Sequence, residues 1–447
     1  MKSTFTLALL NDQTKLSKAI LHAVQDTQQT TTRIEAWQGE QEKREKRQEV
    51  EKRQKDILAW ISSVDYDAQQ KRQIDIRLTG TGQWMLASEE FKAWLAADTK
   101  GGTLFCEGIP GAGKSIISAT VIEYLTQTFA NDVTVGVAYV YNTYDHPLEQ
   151  KPSVLFLNFC KQLGDNRKLA ELPAAWEAEF TKQRGVSKPS NPVELLRAAV
   201  KVYKKVIFVI DALDECRYCD DNNGEARETM LAELAALRSL TQVYVFTTSR
   251  PNSEIVDQFT RHFGEVNPMS IMAQDEDIDR YVNHRMLKFR TRLHEQQDEG
   301  IRVSIRTKVR TYAQGMFLLV KLHMDDLTSK LNRRSLKTAL EQIQHGSTNL
   351  KNQYDSAMER IKNQDADARD LALKVLAWVT RAKKLLKVHE LLHALAVRED
   401  NTELDFDNIY HEDQLTSFCA GLVTVDPDGS VVRWIHYTTK DYFEDHW

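Results

Sequence analysis

Gly108-Ile109-Pro110-Gly111-Ala112-Gly113-Lys114-Ser115 is the stretch on which the reading of this chain turns. It fits the pattern G-x-x-x-x-G-K-[ST], and all eight residues are assigned to a nucleotide. The glycines allow a turn in which successive backbone N–H groups point inward at phosphate oxygens. Lys114 adds a mobile positive charge for the β- and γ-phosphates, and Ser115 offers a hydroxyl to Mg2+. A helix beginning near Lys114 directs its positive N-terminal end at the same anion.

The flanks supply the context such a loop needs. Thr103–Glu107 reads as a buried strand and Lys114–Phe129 as a helix. Further on, strands at Val133–Tyr141, Lys205–Asp211 and Val243–Thr247 alternate with helices at Ser153–Leu163, Pro192–Tyr203 and Glu225–Leu240, and a short segment follows at Gly264–Ile271. Strands and helices alternating at this spacing predict an α/β fold, a parallel sheet with helices on both faces.

Two other strand ends carry chemistry. Lys205–Asp211 (KVIFVID) ends in an acid, and Asp211 is placed to hold Mg2+ through water beside Ser115. Asp214 and Glu215 follow at once, and either can orient or deprotonate an attacking water. Val243–Thr247 runs into Thr248-Ser249-Arg250-Pro251. In a parallel sheet that end lies on the ligand-binding edge, so Arg250 can reach a γ-phosphate.

Beyond Asp275 the strands stop. Asp277–Lys288, Gly315–Lys330, Arg334–Gln344 and Ala368–Val379 have helical periodicity, and Gly421–Val425 and Val431–Ile435 flank the turn Asp426-Pro427-Asp428-Gly429. Helices followed by a small hairpin predict a winged-helix domain. At the other end, Glu40–Asp56 alternates both charge signs without Gly or Pro, which suits a solvated helical spacer. The expected division is a spacer over 1–56, a nucleotide-binding α/β domain over 57–272 with a lead-in segment 57–100, a helical domain over 273–380 and a winged helix over 381–447. At about 100–200 residues per domain, 447 residues allow this many.

Composition narrows the class. Lys+Arg is 59 and Asp+Glu 64, so the net charge is -5 and nucleic acid is not expected as a partner. Five scattered cysteines exclude a secreted disulfide scaffold. No apolar run approaches the ~18 residues that span a bilayer, and the start MKSTFTLALLND has no cleavage site. A cytoplasmic location without a membrane span is expected.

FCEGIPGAGKS, VIFVIDALDEC and TTSRP together resemble a NACHT-type NTPase of the STAND class, in particular the fungal NLR-like proteins. The resemblance extends upstream through RLTGTGQWML…FKAWL at Arg77–Leu95. Downstream it takes in Gln314–Leu327, Tyr354–Ile361 and Cys419–Phe443, and so covers roughly residues 57–447. It implies a nucleotide-gated signalling switch. ATP/ADP, with GTP as the other candidate, binds with Mg2+. Hydrolysis is slow, ADP holds a closed form, and exchange permits opening and self-oligomerisation. His436 would contact the β-phosphate of ADP, Gly315 would begin a helix closing over the nucleotide, and Arg77–Trp84 would meet the adenine. The related plant and animal pattern often has Pro where this chain has Met316-Phe317. Family members usually carry an effector before and ankyrin or WD repeats after this region; a chain that is part of a longer protein and one that works with a partner effector protein are the alternatives here. Innate-immunity or incompatibility signalling is the implied process.

Two motifs are set aside. His389-Glu390-Leu391-Leu392-His393 matches the zincin pattern but no third ligand follows it. Cys216-x-x-Cys219 has no second pair. Two rival functions remain open on the residues alone: a scaffold that holds nucleotide without appreciable hydrolysis, and a conventional P-loop enzyme, against which the long helical tail speaks.

Overall fold

Val206, Ile207, Phe208, Val209 and Ile210 succeed one another with no polar residue between them. Successive strand residues face opposite sides of a sheet, so such a run is stable only where both faces are covered. All five are buried in the computed structural model. It describes residues 2–97, 101–143, 151–165, 172–183, 188–216, 225–287, 299–313, 315–330, 332–343, 350–397, 409–426 and 430–446. The strands β1 (Thr103–Glu107), β2 (Val135–Tyr141), β3 (Lys205–Asp211), β4 (Gln242–Ser249) and β5 (Met269–Ser270) form one sheet in the order β2-β3-β4-β1-β5. Every pairing is parallel.

The order matters because β4 lies between the strand before the glycine loop and the strand that ends in Asp211. Register places Glu107 opposite Ser249 and Ile210 opposite Thr247. Gly108, Arg250 and Asp211 therefore leave the sheet at one edge. The expected strand over Val243–Thr247 continues to Ser249, since Thr248 and Ser249 are themselves fully buried at that edge. The expected strand over Val133–Tyr141 starts later, because a turn at Asp132 precedes it: the Asp132 carboxylate accepts from Thr134 N at 2.9 Å.

The N-terminal residues form one helix, Lys2–Ile61. Its last turn enters the core of the sheet unit through Ile57, Leu58 and Ile61. The lead-in then packs helix Tyr66–Ile76 on the helix of the glycine loop, where Gln70 donates to Ala119 O at 2.9 Å.

Helices Asp275–Met286, Glu299–Ala313, Phe317–Ser329 and Arg333–Gln342 build a second core. Glu299–Ala313 is not in the sequence reading. Its buried residues Ile301, Ile305, Val309 and Ala313 recur every fourth position. The cations between them hid that stripe.

A third core joins Tyr354–Ile361 and Leu371–Leu376 to residues 388–443. It contains a small antiparallel sheet, β6 (Leu386–Lys387), β7 (Val423–Val425) and β8 (Val431–Trp434), in the order β6-β8-β7. The turn tip Pro427–Gly429 lies outside the described residues, as does Cys219 of the set-aside cysteine pair. Helix Phe317–Ser329 serves two cores at once: Leu318 and Leu322 belong to the third, and Val320, Met324 and Leu327 to the second. No described helix is long and apolar enough to cross a membrane.

One buried carboxylate ties the lead-in to the far end of the chain. The Asp426 side chain is 6% exposed, accepts from Arg433 Nη2 at 2.9 Å, lies 2.8 Å from Arg433 Nε, and meets Arg72 of helix Tyr66–Ile76 at 3.4 Å. Removing it leaves two guanidinium groups without their acceptor. Asp426→Ala should cost about 2 kcal/mol, read as a lower urea midpoint, and Arg72→Ala less, because Arg433 still satisfies the acid.

Candidate functional site

The loop between β1 and helix Lys114–Thr128 is shaped by two left-handed glycines, Gly111 at φ +75 and Gly113 at φ +99. A side chain is strained in that region. Gly113 is also the helix N-cap and has no side chain to satisfy the first-turn N–H groups. Those amides have no intrahelical acceptor, so they are available to an anion. A Cβ added at Gly113 would meet nothing within 4 Å, so there is room beside it. Gly111 is crowded instead: a Cβ there would stand 2.7 Å from Leu318 Cβ, and Gly111 O accepts from Leu318 N at 3.0 Å. The turn Gly315-Met316-Phe317, where the closing helix was expected, thus abuts the loop. Ala112 N donates to Ile109 O at 3.1 Å across the loop's tip at Pro110, and Gly108 N to Ser249 O at 3.0 Å.

Lys114 Nζ donates to Gly108 O at 2.8 Å and Ile109 O at 3.3 Å. Burial pulls its pKa down, while Asp214, Asp211 and Glu215 pull it back up. The positive charge is therefore held among acids within a shielded site.

Asp211 is the hub. Its carboxylate accepts from Ser115 Oγ at 2.6 Å, Ser118 Oγ at 2.7 Å and Thr248 Oγ1 at 2.7 Å. Burial raises its pKa, and the three hydroxyls and Lys114 oppose that rise. Immediately after it, Ala212 adopts φ +51, and its N–H donates to Thr248 Oγ1 at 3.0 Å. Asn142, just after β2, donates its Nδ2 to Asp211 O at 3.0 Å, while its buried Oδ1 has no hydrogen-bond partner among the described residues.

Arg250 is bound to the neighbouring acids. Its Nε lies 2.9 Å from Asp214, its Nη2 3.0 Å from Glu215, and its backbone N–H donates to Asp214 at 3.0 Å. Burial, then the Asp214 charge, pushes the Glu215 pKa up, and Arg250 holds it back. The sequence assigned these three residues separate roles; the structure joins them as one ion-paired cluster.

His436 comes to this edge from the C-terminal module. Burial, then the charges of Lys114 and Arg250, push its pKa down to about 3. Arg250 also acts on Asp441 in the following helix, Tyr437–His446. The lead-in closes another side: Arg77 donates to Thr120 Oγ1 at 2.9 Å and to Glu123 at 2.7 Å, and Gly82 N to Asp277 at 2.8 Å.

The residues present fit a magnesium nucleotide. Unclaimed helix amides, a lysine and a hydroxyl–carboxylate pair face one space, and charge-assisted donors are what a polyphosphate requires. Among the described residues no group of three or more His, Cys, Asp or Glu is arranged to hold a metal, so Ser115, Asp211 and the phosphates themselves would supply the ligands. The set-aside motif lies apart on helix Val388–Ala396, where Glu390 pairs with Lys384 at 2.8 Å and accepts from Lys387 N at 3.1 Å.

Sequence reasoning missed Ser118, Thr248 and Asn142. Ser118 lies three residues after Ser115, on the same helix face, which is a usable signal. Thr248 stood in the TTSRP motif without a role. Asn142 gave no signal, because its partner is a backbone carbonyl 69 residues away.

Residues 80–250 match the family described as Nephrocystin 3, N-terminal, and residues 358–446 match the winged helix domain of GPI inositol-deacylase. Among solved structures the chain is similar to the Aeropyrum pernix ORC1 protein in complex with DNA, at 12% identity, covering 87% of this chain and 96% of that one, TM-score 0.37. The Walker-type ATPase of Pyrococcus abyssi is similar at 11% identity, 80% and 94% coverage and TM-score 0.37. Drosophila ORC bound to DNA is similar at 12%, 81% and 85%, TM-score 0.33. Likenesses this distant carry no inference about activity. No curated protein gives a significant match. The motifs, the sheet around them and the family matches are those of a nucleotide-binding P-loop NTPase.

One expectation is corrected. Net charge was read as excluding a nucleic-acid partner, yet structures similar to this chain are solved on DNA. The charge of a whole chain averages over its patches and cannot support that exclusion.

The His436 environment has a pH consequence. The unfolded chain takes a proton near 6.5, and the folded one only near 3. Between pH about 6.5 and about 3 the unfolded state binds more protons, so stability falls as the pH is lowered through that window. Wild type should lose up to ~1.4 kcal/mol per pH unit more than His436→Gln over that range, measured as paired urea midpoints. His323, pushed down to about 4 by burial, is common to both proteins.

Proposed function

We propose that this chain is a nucleotide-gated switch of the NACHT/STAND type, in which ATP or ADP with Mg2+ is gripped by the glycine loop and fastens the C-terminal module to the sheet. The observation that carries this reading is the position of His436. This residue of the last module is buried within reach of the charges of Lys114 and Arg250, the same cations that would act on a polyphosphate. A bound diphosphate supplies negative charge between those cations, and His436 can donate to it. The module would then be held closed by the nucleotide it covers.

In this reading Gly108 to Ser115 hold the phosphates, Ser115 and Asp211 place Mg2+, and Arg250 senses the γ-phosphate. The units are 57–272, a helical unit, and a C-terminal unit. We place the last boundary near residue 350, because Tyr354–Leu376 pack in the C-terminal core. A cytoplasmic signalling role belongs to the same proposal.

A second reading is favoured by one observation. Arg250 already neutralises Asp214 and Glu215, so neither acid is free in this conformation to activate water. That suits a form that holds nucleotide without turnover. Mg2+-dependent hydrolysis that is lost in Glu215→Gln would reject it.

The primary test is mass spectrometry of nucleotide released from the purified full chain, with ADP at near-stoichiometric occupancy expected. Lys114→Ala should weaken binding about 100-fold, since a charge-assisted contact of up to ~3 kcal/mol is lost. His436→Ala should speed ADP release while leaving the loop intact. Equal calorimetric affinity in wild type and Lys114→Ala would end this reading.

A further inference from the structure

Helix Ala366–Arg381 buries one face completely. Leu371, Ala372, Val375 and Leu376 are all in the C-terminal core. Along the edge of that face run Lys374, Trp378 and Arg381, spaced four and three residues apart and so aligned in one row. Trp378 is 45% exposed, unusual for so large an apolar surface. The turn after the helix adds Lys383, Lys384 and Lys387, all exposed. From Lys374 to His389 the sequence has five Lys and Arg and no Asp or Glu, in a chain of net charge -5. Lys374 pairs with Asp370 at 3.1 Å and Lys384 with Glu390 at 2.8 Å. Arg381, Lys383 and Lys387 make no ion pair with a described residue.

We infer that this face, Lys374–Trp378–Arg381 with the turn Lys383–Lys387, binds single-stranded nucleic acid. An exposed indole offers a flat surface on which an unpaired base stacks, and flanking cations take the phosphates on either side. A duplex keeps its base faces stacked inside and offers the indole nothing comparable. An anionic membrane would suit the cations, but insertion needs an apolar helix face. Here that face is already in the core and Trp378 stands among charges. The surface belongs to the C-terminal module and does not depend on the nucleotide site.

The test is fluorescence anisotropy of the full chain with a labelled single-stranded oligonucleotide of about 20 nucleotides, longer than one such site requires. The same sequence as duplex and phosphatidylserine vesicles serve as comparison probes. The single strand should bind most tightly. Trp378→Ala should weaken it about tenfold or more, with Trp378→Phe recovering part of the loss. Lys383→Glu with Lys384→Glu should weaken it further and flatten the dependence of log K on log salt by about 1.4. Unchanged circular dichroism in each variant excludes unfolding as the cause. Absence of single-strand binding, or wild-type binding by Trp378→Ala, overturns the inference. So does equal or tighter binding of duplex or vesicles.

Discussion

A single carboxylate holds the nucleotide edge of this protein together. Asp211 accepts hydroxyl hydrogen bonds from Ser115 and Ser118 on the glycine-loop helix and from Thr248 on the adjacent strand. Burying an acid is costly unless its oxygens are satisfied. Here three donors satisfy them, and each donor belongs to an element that must be placed correctly for the site to exist. The helix N-terminus, the acid at the end of β3 and the strand leading to Arg250 are thereby fixed relative to one another. The same burial raises the Asp211 pKa, and a divalent cation beside Ser115 would reverse that tendency by favouring the charged form.

Around this edge the other modules are attached by few polar contacts. The helical unit reaches the loop through the Leu318 amide on Gly111 O, and the C-terminal module through His436. The lead-in fastens to the hairpin through Arg72 and Asp426. The Leu318 contact is a hydrogen bond, the Arg72 contact is ionic and His436 is reached by the charges of Lys114 and Arg250, whereas the sheet unit has its own apolar core and the other two units share helix Phe317–Ser329 between theirs. Such an arrangement allows units to move as bodies while keeping their internal packing.

How much of this was legible depended on the range of the interaction. The glycine loop, the five-residue apolar run before Asp211 and the helix spacing are local patterns, and they gave the parallel sheet and its ligand edge. Ser118 was readable from its three-residue spacing but was not used. Asn142 was not readable, because nothing in its neighbourhood announces a contact with Asp211 O. The pairing of Arg72 with Asp426 spans 354 residues and leaves no trace in either segment. Net charge misled for a related reason: an average over the chain hides the cationic row around Trp378.

The sequence by itself determined that a phosphate-binding loop sits between a strand and a helix, because backbone turn, helix dipole and lysine are specified within eight consecutive residues. It also determined which strand ends in an acid. The tertiary structure decided that β4 lies between those two strands, that Arg250 is paired with Asp214 and Glu215, and that His436 is buried within reach of the charges of Lys114 and Arg250. Those outcomes depend on which distant surfaces pack together. Packing is settled by the shapes of whole cores, which no short stretch of chain encodes.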